Sequence, residues 1–418
     1  MKESDSGISD RELRDTLEAS LEKRCGSLKK VLILPPDYTR LHSGAGKITS
    51  LYYDILKDRC KVDIMPALGT HEPMSEAEIE MFFPNIPKEN FIAHNWRTDV
   101  VKIGEVPATY VEAISDGLSC EPIDVEINKR LLDKSYDLIL SIGQVVPHEV
   151  VGMANYSKNI FVGCGGSSMI NQSHMLGAFY GLERIMGRDS TPVRKVFDYA
   201  EKNFISDLPL CYVLTVTTLV DEKVRINGLY IGRERSIFEK AVKLSQRKNI
   251  TFVDKPLKKA VVYLDGKEFK STWLGNKAIY RTRMALADAG ELIILAPGVS
   301  KFGEDGINDI LIRKYGYVGR EKVLELCREN EDLMNNLSVA AHLIHGSSDG
   351  RFSITYATEK LSRSEVEGVN FKYLPYQEAI KRYPFEKLKD GYQTLESGEV
   401  IYYISNPALG LWASKDRF

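Results

Sequence analysis

His148, Lys158 and His174 fall in a single run, PHEVVGMANYSKNIFVGCGGSSMINQSH, at residues 147–174. The whole chain has seven histidines, so this run is rich in groups that hold protons, attack electrophiles or bind soft metal ions. Imidazole titrates near neutrality and serves as a general base or a metal ligand. An amine whose pKa is lowered by burial becomes a nucleophile. Between Lys158 and His174 lies GCGGSS (163–168), a turn whose backbone amides can approach an anion. It is neither GxGxxG nor a Walker loop, so a classical dinucleotide or nucleoside-triphosphate site is not indicated.

Two further clusters follow apolar runs. In PPDYTRLHSG (35–44), Asp37 and Thr39 suit an Asx or ST turn, and Arg40 offers a guanidinium to a carboxylate or phosphate. In ALGTHEPMSEAEI (67–79), His71 is a candidate base, and Ser75 with Glu78 forms a capping-box pattern. His148 is a second candidate base. Each of these residues read singly is a capped turn or a structural histidine; it is the conjunction at neighbouring strand ends that points to chemistry. His42 lines an entrance at most, and His94 in FIAHNW reads as structural. His342 and His345 in AAHLIHG could ligate a metal, but no acidic ligand stands nearby in sequence, and a helix C-cap at Gly346 accounts for His345.

Positioning these clusters requires an α/β scaffold. The runs at 31–36, 62–68, 138–143 and 159–163 read as buried strands, with helical patterns at about 9–24, 47–58, 75–82, 126–133 and 175–187. Strand–turn–helix repetition predicts mainly parallel sheets, with ligands at the carboxyl ends of the strands. The polar, basic segment 244–259 reads as a linker. Beyond it, strands at 259–265, 291–298 and 352–358 alternate with helical patterns at 277–288, 306–314, 320–328 and 330–343. The expectation is two α/β domains with a cleft between them, residues 1–250 and 251–395, with 396–418 returning to the first.

The chain has 418 residues and a formal net charge of −2, which advertises no nucleic-acid-binding face. No apolar run is long enough to span a membrane, and the charged N-terminus is not a signal peptide. The six cysteines (Cys25, Cys60, Cys120, Cys164, Cys211 and Cys327) are scattered and form no CxxC. A disulfide framework or thiolate zinc site is therefore not expected, and a cytoplasmic location is.

The chain resembles the lactate racemase family of nickel-pincer-nucleotide enzymes. The resemblance rests on DYTR (Asp37–Arg40), GTHEP (Gly69–Pro73), PHEVVGMANYSK (Pro147–Lys158) and INQSH (Ile170–His174). It implies a pyridinium mononucleotide joined through a thioamide to Lys158, with nickel held by the cofactor and by His174. It further implies racemisation or epimerisation of a 2-hydroxy acid: hydride leaves the α-carbon, a 2-oxo acid forms, and hydride returns to either face. His71 and His148 would be the two bases, Arg40 and Lys277 (in WLGNKAIYR, 273–281) would hold the substrate carboxylate, and Asp37 would orient Arg40 or His71. Thr39, Gly165, Gly166 and Ser167 would contact the cofactor phosphate. Cofactor-synthesis enzymes would be needed for maturation. Leu274 replaces a glutamine of the family pattern, and LAPGVSKFGEDG (295–306) lacks its His-Gly-Gly signature. The expected substrate is therefore a 2-hydroxy acid other than lactate, with an aldonate sugar-acid 2-epimerase as the alternative. From a different class, a metal-dependent hydrolase would gather His71, His148 and His174 around zinc.

Overall fold

The structure is a computed structural model that describes residues 1–22, 28–220, 223–408 and 410–418. It is a mixed α/β fold rich in parallel pairing, and the chain divides into two compact units. One comprises Met1–Leu176 with Ile185–Asn249, the other Gly177–Arg184 with Ile250–Phe418.

The first unit is built on a six-stranded sheet. Lys61–Ile64, Lys30–Leu34, Leu138–Gln144 and Leu210–Val220 run parallel in that spatial order; Lys223–Gly232 and then Lys2–Glu3 add antiparallel strands. The register pairs Val31 with Val62 on one side and with Leu138 on the other. Side chains alternate across the pleat, so both faces of the central strands must be apolar. Leu32, Leu34 and Ile139 pack with Phe161, Val196, Phe197 and Phe238. Val31, Ile33 and Leu140 pack on the other side with Leu13, Leu17, Ile48 and Tyr52. This double burial explains why the strands read as unbroken apolar runs rather than as alternating ones.

Parallel pairing places the loops after Leu34, Ile64 and Gln144 at one edge. The first two are tied by the Pro36–Ala67 bridge, and the second reaches the third through Gly69 N–H to the Gly163 carbonyl at 2.8 Å.

The second unit has its own six-stranded sheet, ordered Lys372–Pro375, Phe352–Thr358, Leu286–Leu295, Leu257–Tyr263, Val400–Ile404 and Gly391–Thr394. Only the last pair is antiparallel. Leu411–Ser414 pairs in parallel with Ile250–Val253. The stretch 396–418 therefore adds strands to the second unit and does not return to the first.

Four other expectations are corrected. Residues 159–163 form a buried π-helical turn, Asn159–Gly163, not a strand. A five-residue apolar run is ambiguous by composition, and here Asn159 decides it by donating to the Leu34 carbonyl and to Ser141 Oγ, both at 3.0 Å. The pattern at 126–133 is the end of the strand Ile123–Asn128 followed by a short 3₁₀ turn. The helical pattern at 277–288 stops at Thr282, and Leu286 opens a strand. Finally, 244–259 is no linker: it closes the helix Arg235–Asn249 and continues into Ile250–Val253 and Leu257–Tyr263. The N-terminal helix is Asp10–Glu22; the expected continuation to residue 24, like Cys25, lies outside the described residues. Among the described residues no helix is long and apolar enough to cross a membrane.

Candidate active site

Asp37 caps the turn Tyr38–Ser43 directly after the strand Lys30–Leu34, accepting from Thr39 N–H at 3.2 Å and from the Thr39 hydroxyl at 2.5 Å. Its other oxygen lies 2.5 Å from Nδ1 of His71. Burial alone would raise this carboxyl's pKa, but the His71 bond and charge, with Thr39, outweigh it and hold the group below the usual carboxylate range. A carboxylate on Nδ1 fixes the His71 proton there and leaves Nε2 with its lone pair exposed. The His71 side chain is 56% exposed, so that lone pair can meet a substrate.

His148 is arranged differently. It is buried, and its Nδ1 accepts the Val150 N–H at 3.1 Å. The neutral ring therefore carries its proton on Nε2. Burial drives its pKa well below the ordinary value, opposed by Glu149, and Lys158, Arg40 and His174 push the same way as burial. The two histidines thus present opposite faces to chemistry: His71 a lone pair, His148 an N–H.

Lys158 is half-buried at the N-terminal end of the π turn. Burial, then the positive charge of Arg40, lowers its amine to about 8, with Arg194 adding and Glu149 and Asp37 opposing. An amine in that range has a substantial unprotonated fraction near neutrality and is a competent nucleophile.

His174 lies inside the helix Ser167–Tyr180 rather than at the start of one. Its Nδ1 donates to the Ile170 carbonyl at 2.6 Å, one turn back. Burial and the Lys158 charge lower its pKa to about 4. The ring is thus neutral at physiological pH with Nε2 free of its own proton, the state in which imidazole binds a metal; a carbonyl on the other nitrogen is the usual outer-shell support.

The structure therefore brings Asp37, Arg40, His71, His148, Lys158 and His174 into one electrostatic neighbourhood of the first unit. Lys277 belongs to the second unit, opening the helix Lys277–Thr282 with its amine 5.7 Å from the Phe269 ring centre.

The Gly-rich turn differs from expectation. Ser168 N–H donates at 3.0 Å to a Glu126 oxygen, and a Cβ on Gly166 would lie 2.3 Å from that same oxygen. The Gly165 carbonyl accepts from His94 Nε2 at 3.2 Å, and Asn128 holds the other His94 nitrogen at 2.9 Å. An internal carboxylate thus already sits at the start of the helix where the resemblance places Gly165, Gly166 and Ser167 against a phosphate, and a second anion there would meet like charge.

In the second unit, His342 is buried against Trp273 with ring centres 4.3 Å apart, and its Nε2 lies 3.0 Å from the Tyr317 hydroxyl. Burial lowers it to about 3. This is a histidine satisfied in a core. Among the described residues no group of three or more His, Cys, Asp and Glu side chains could hold a metal ion between them. Residues that sequence reasoning missed are Glu149, whose charge reaches all three of His148, Lys158 and His174, Glu126, and Arg194, described below.

Residues 7–182 match the lactate racemase N-terminal domain family. Among curated protein sequences none matches the chain. Solved structures that share its fold include the following two. A crystal structure of a Thermotoga maritima protein is 24% identical, with a TM-score of 0.80 over 99% of this chain and 100% of that one. The lactate racemase apoprotein of Thermoanaerobacterium thermosaccharolyticum is 17% identical, with a TM-score of 0.70 over 96% of this chain and 92% of that one.

Proposed function

We propose that this chain, whose residues 7–182 match the lactate racemase N-terminal domain family, is a nickel-pincer-nucleotide-dependent racemase or epimerase of a 2-hydroxy acid other than lactate. The observation that carries the reading is the pairing of a low-pKa lysine, Lys158, with a neutral histidine, His174, whose Nδ1 is already bonded. The first is what covalent attachment of a cofactor needs; the second is what one protein ligand to nickel needs.

These residues fit the cofactor: Lys158 would hold it and His174 would grip its metal. When bound, that group would take hydride from the substrate α-carbon and give it back. The chain's own residues do the rest. His71, with Nδ1–H on Asp37, takes the hydroxyl proton at Nε2. His148 offers its Nε2–H to the same oxygen, and becomes a base only by surrendering its bond from Val150. Arg40, exposed within the turn Tyr38–Ser43, orients the substrate carboxylate. Thr39 is engaged with Asp37, and the Gly165–Ser167 turn with Glu126, so the phosphate is assigned to neither without a rearrangement. A sugar-acid 2-epimerase would use the same groups on a longer substrate.

The test is co-expression with the cofactor-synthesis enzymes, followed by intact-protein mass, metal analysis and chiral chromatography of a panel of 2-hydroxy acids. The expected result is an adduct on Lys158 that is absent from Lys158→Ala, with nickel and inversion at C2. Zinc without an adduct would overturn the reading in favour of a hydrolase.

A further inference from the structure

Lys158 follows a segment bent in a rare way. Asn155 and Tyr156 are consecutive non-glycine residues at φ 63° and 57°, a region that L side chains seldom occupy. Such a bend persists only where its surroundings impose it. Part of the hold is local: Asn155 Oδ1 accepts the Tyr156 N–H at 2.7 Å, and the Tyr156 ring packs on Tyr212 and Phe238 with centres 4.2 and 5.0 Å away.

The rest comes from Arg194, the largest side chain that is fully buried. It rises from the helix Pro192–Phe204. Its Nη1 donates to Ser157 Oγ at 2.8 Å, and its Nη2 donates to the carbonyls of Met153 at 2.7 Å and Asn155 at 3.2 Å. One guanidinium thus ties both sides of the bend to a helix, and its Cζ lies 4.5 Å from the Phe238 ring centre.

We infer that Arg194 is the positioning residue of Lys158: its buried fork locks the left-handed bend at Asn155–Tyr156 and so fixes where the amine points. This deepens the reading of Lys158 as an attachment point and rests on it only in treating the amine as functional. The charge of Arg194 acts in the same sense. The groups whose charge acts on the amine or is acted on by it are Asp37 and Arg40 from the first loop, His148 and Glu149 from its own loop, His174 from the following helix and Arg194 from the helix Pro192–Phe204. Lysine in place of Arg194 would keep the charge but cannot span three acceptors.

The experiment uses the full chain without cofactor or metal. Brief pulses of acetic anhydride are applied across pH, and acetylation of Lys158 is followed by peptide mass spectrometry against the exposed Lys61. Wild-type Lys158 should reach half-maximal reactivity near pH 8, the range its surroundings set. Arg194→Gln should lower its reactivity at pH 7.5 about tenfold, the equivalent of one pKa unit. Arg194→Lys should fall between the two, and Ser157→Ala, which removes one acceptor, should cause a smaller drop. A folded Arg194→Gln with the wild-type profile overturns the inference. Should that variant not fold by circular dichroism, wild-type profiles in both Arg194→Lys and Ser157→Ala overturn it. A profile that moves as expected in a protein that never acquires an adduct would sink the attachment reading and leave this one standing.

Discussion

Asp37 and His71 meet at 2.5 Å between Oδ2 and Nδ1, although they come from the loops after two different strands. The contact depends on the parallel pairing of Lys30–Leu34 with Lys61–Ile64, which carries both loops to one edge. It gives His71 the tautomer a base needs. Asp37→Asn would present an amide where a carboxylate orients the ring and fixes its tautomer, so kcat should fall about 10²–10⁴-fold with KM little changed. His71→Asn should cost as much, and the double variant little more, because the pair acts as a unit. Initial rates of C2 inversion by the loaded enzyme decide this; wild-type kcat in Asp37→Asn would remove Asp37 from the mechanism.

The parts of this site that were legible in the sequence are those whose signal is local. Strands 30–34 and 138–144 announce themselves as unbroken apolar runs because helices cover both faces. His71, His148, Lys158 and His174 are visible by residue type. What was not legible acts across the chain. Glu126 reaches a helix start 42 residues away, and His94 reaches Gly165 over 71 residues. Arg194 looks in sequence like one more basic residue on an amphipathic helix. The run 159–163 is ambiguous in sequence because its apolar composition fits a strand as well as a buried turn, and only the Asn159 bonds to Leu34 and Ser141 settle it.

Glu126 occupies the start of the helix Ser167–Tyr180. Removing its carboxylate leaves the Ser168 amide without that acceptor. Glu126→Ala should lose about 0.5–2 kcal/mol, the usual range for a lost cap. It should also gain an anion dependence absent from wild type, because a sulfate or phosphate can take the empty position. Thermal melts with and without sulfate at matched ionic strength read both effects. Equal sulfate responses in the two proteins would show that the carboxylate is not what fills that position.

In the second unit, Arg283 is nearly fully buried and forks between Glu183 at 3.0 Å and Asp349 at 2.8 Å, with a third bond to the Ser347 carbonyl at 2.9 Å. Glu183 lies in Gly177–Arg184, so this fork ties that segment to the rest of its unit. The acids are partly exposed, which tempers the loss when their partner goes. Arg283→Met should therefore cost about 2–4 kcal/mol, near the lower end of what breaking a buried pair costs. The urea midpoint measures it; a shift within error of zero would mean that water replaces the guanidinium without penalty.

Neutral histidines drawn out of water, wholly or in part, set how the fold responds to acid. His174 is lowered to about 4 and His342 to about 3, each by burial first, and His148 is also lowered well below its ordinary value. An unfolded imidazole has a pKa near 6.5, so below that pH the unfolded chain binds protons that the folded chain refuses. Stability is therefore full above about pH 6.5 and falls as pH drops to about 4 for His174 and about 3 for His342. Each ring contributes at most about 1.4 kcal/mol per pH unit within its window. Lys158 has the same sign in a separate window: lowered from 10.5 to about 8, it adds stability as pH rises between those values and none below them. Denaturant melts at fixed ionic strength should show a shallower acid slope in His174→Gln with the alkaline rise intact. Lys158→Met should show the reverse, and a variant pair that alters neither limb would mean that both side chains reach solvent freely.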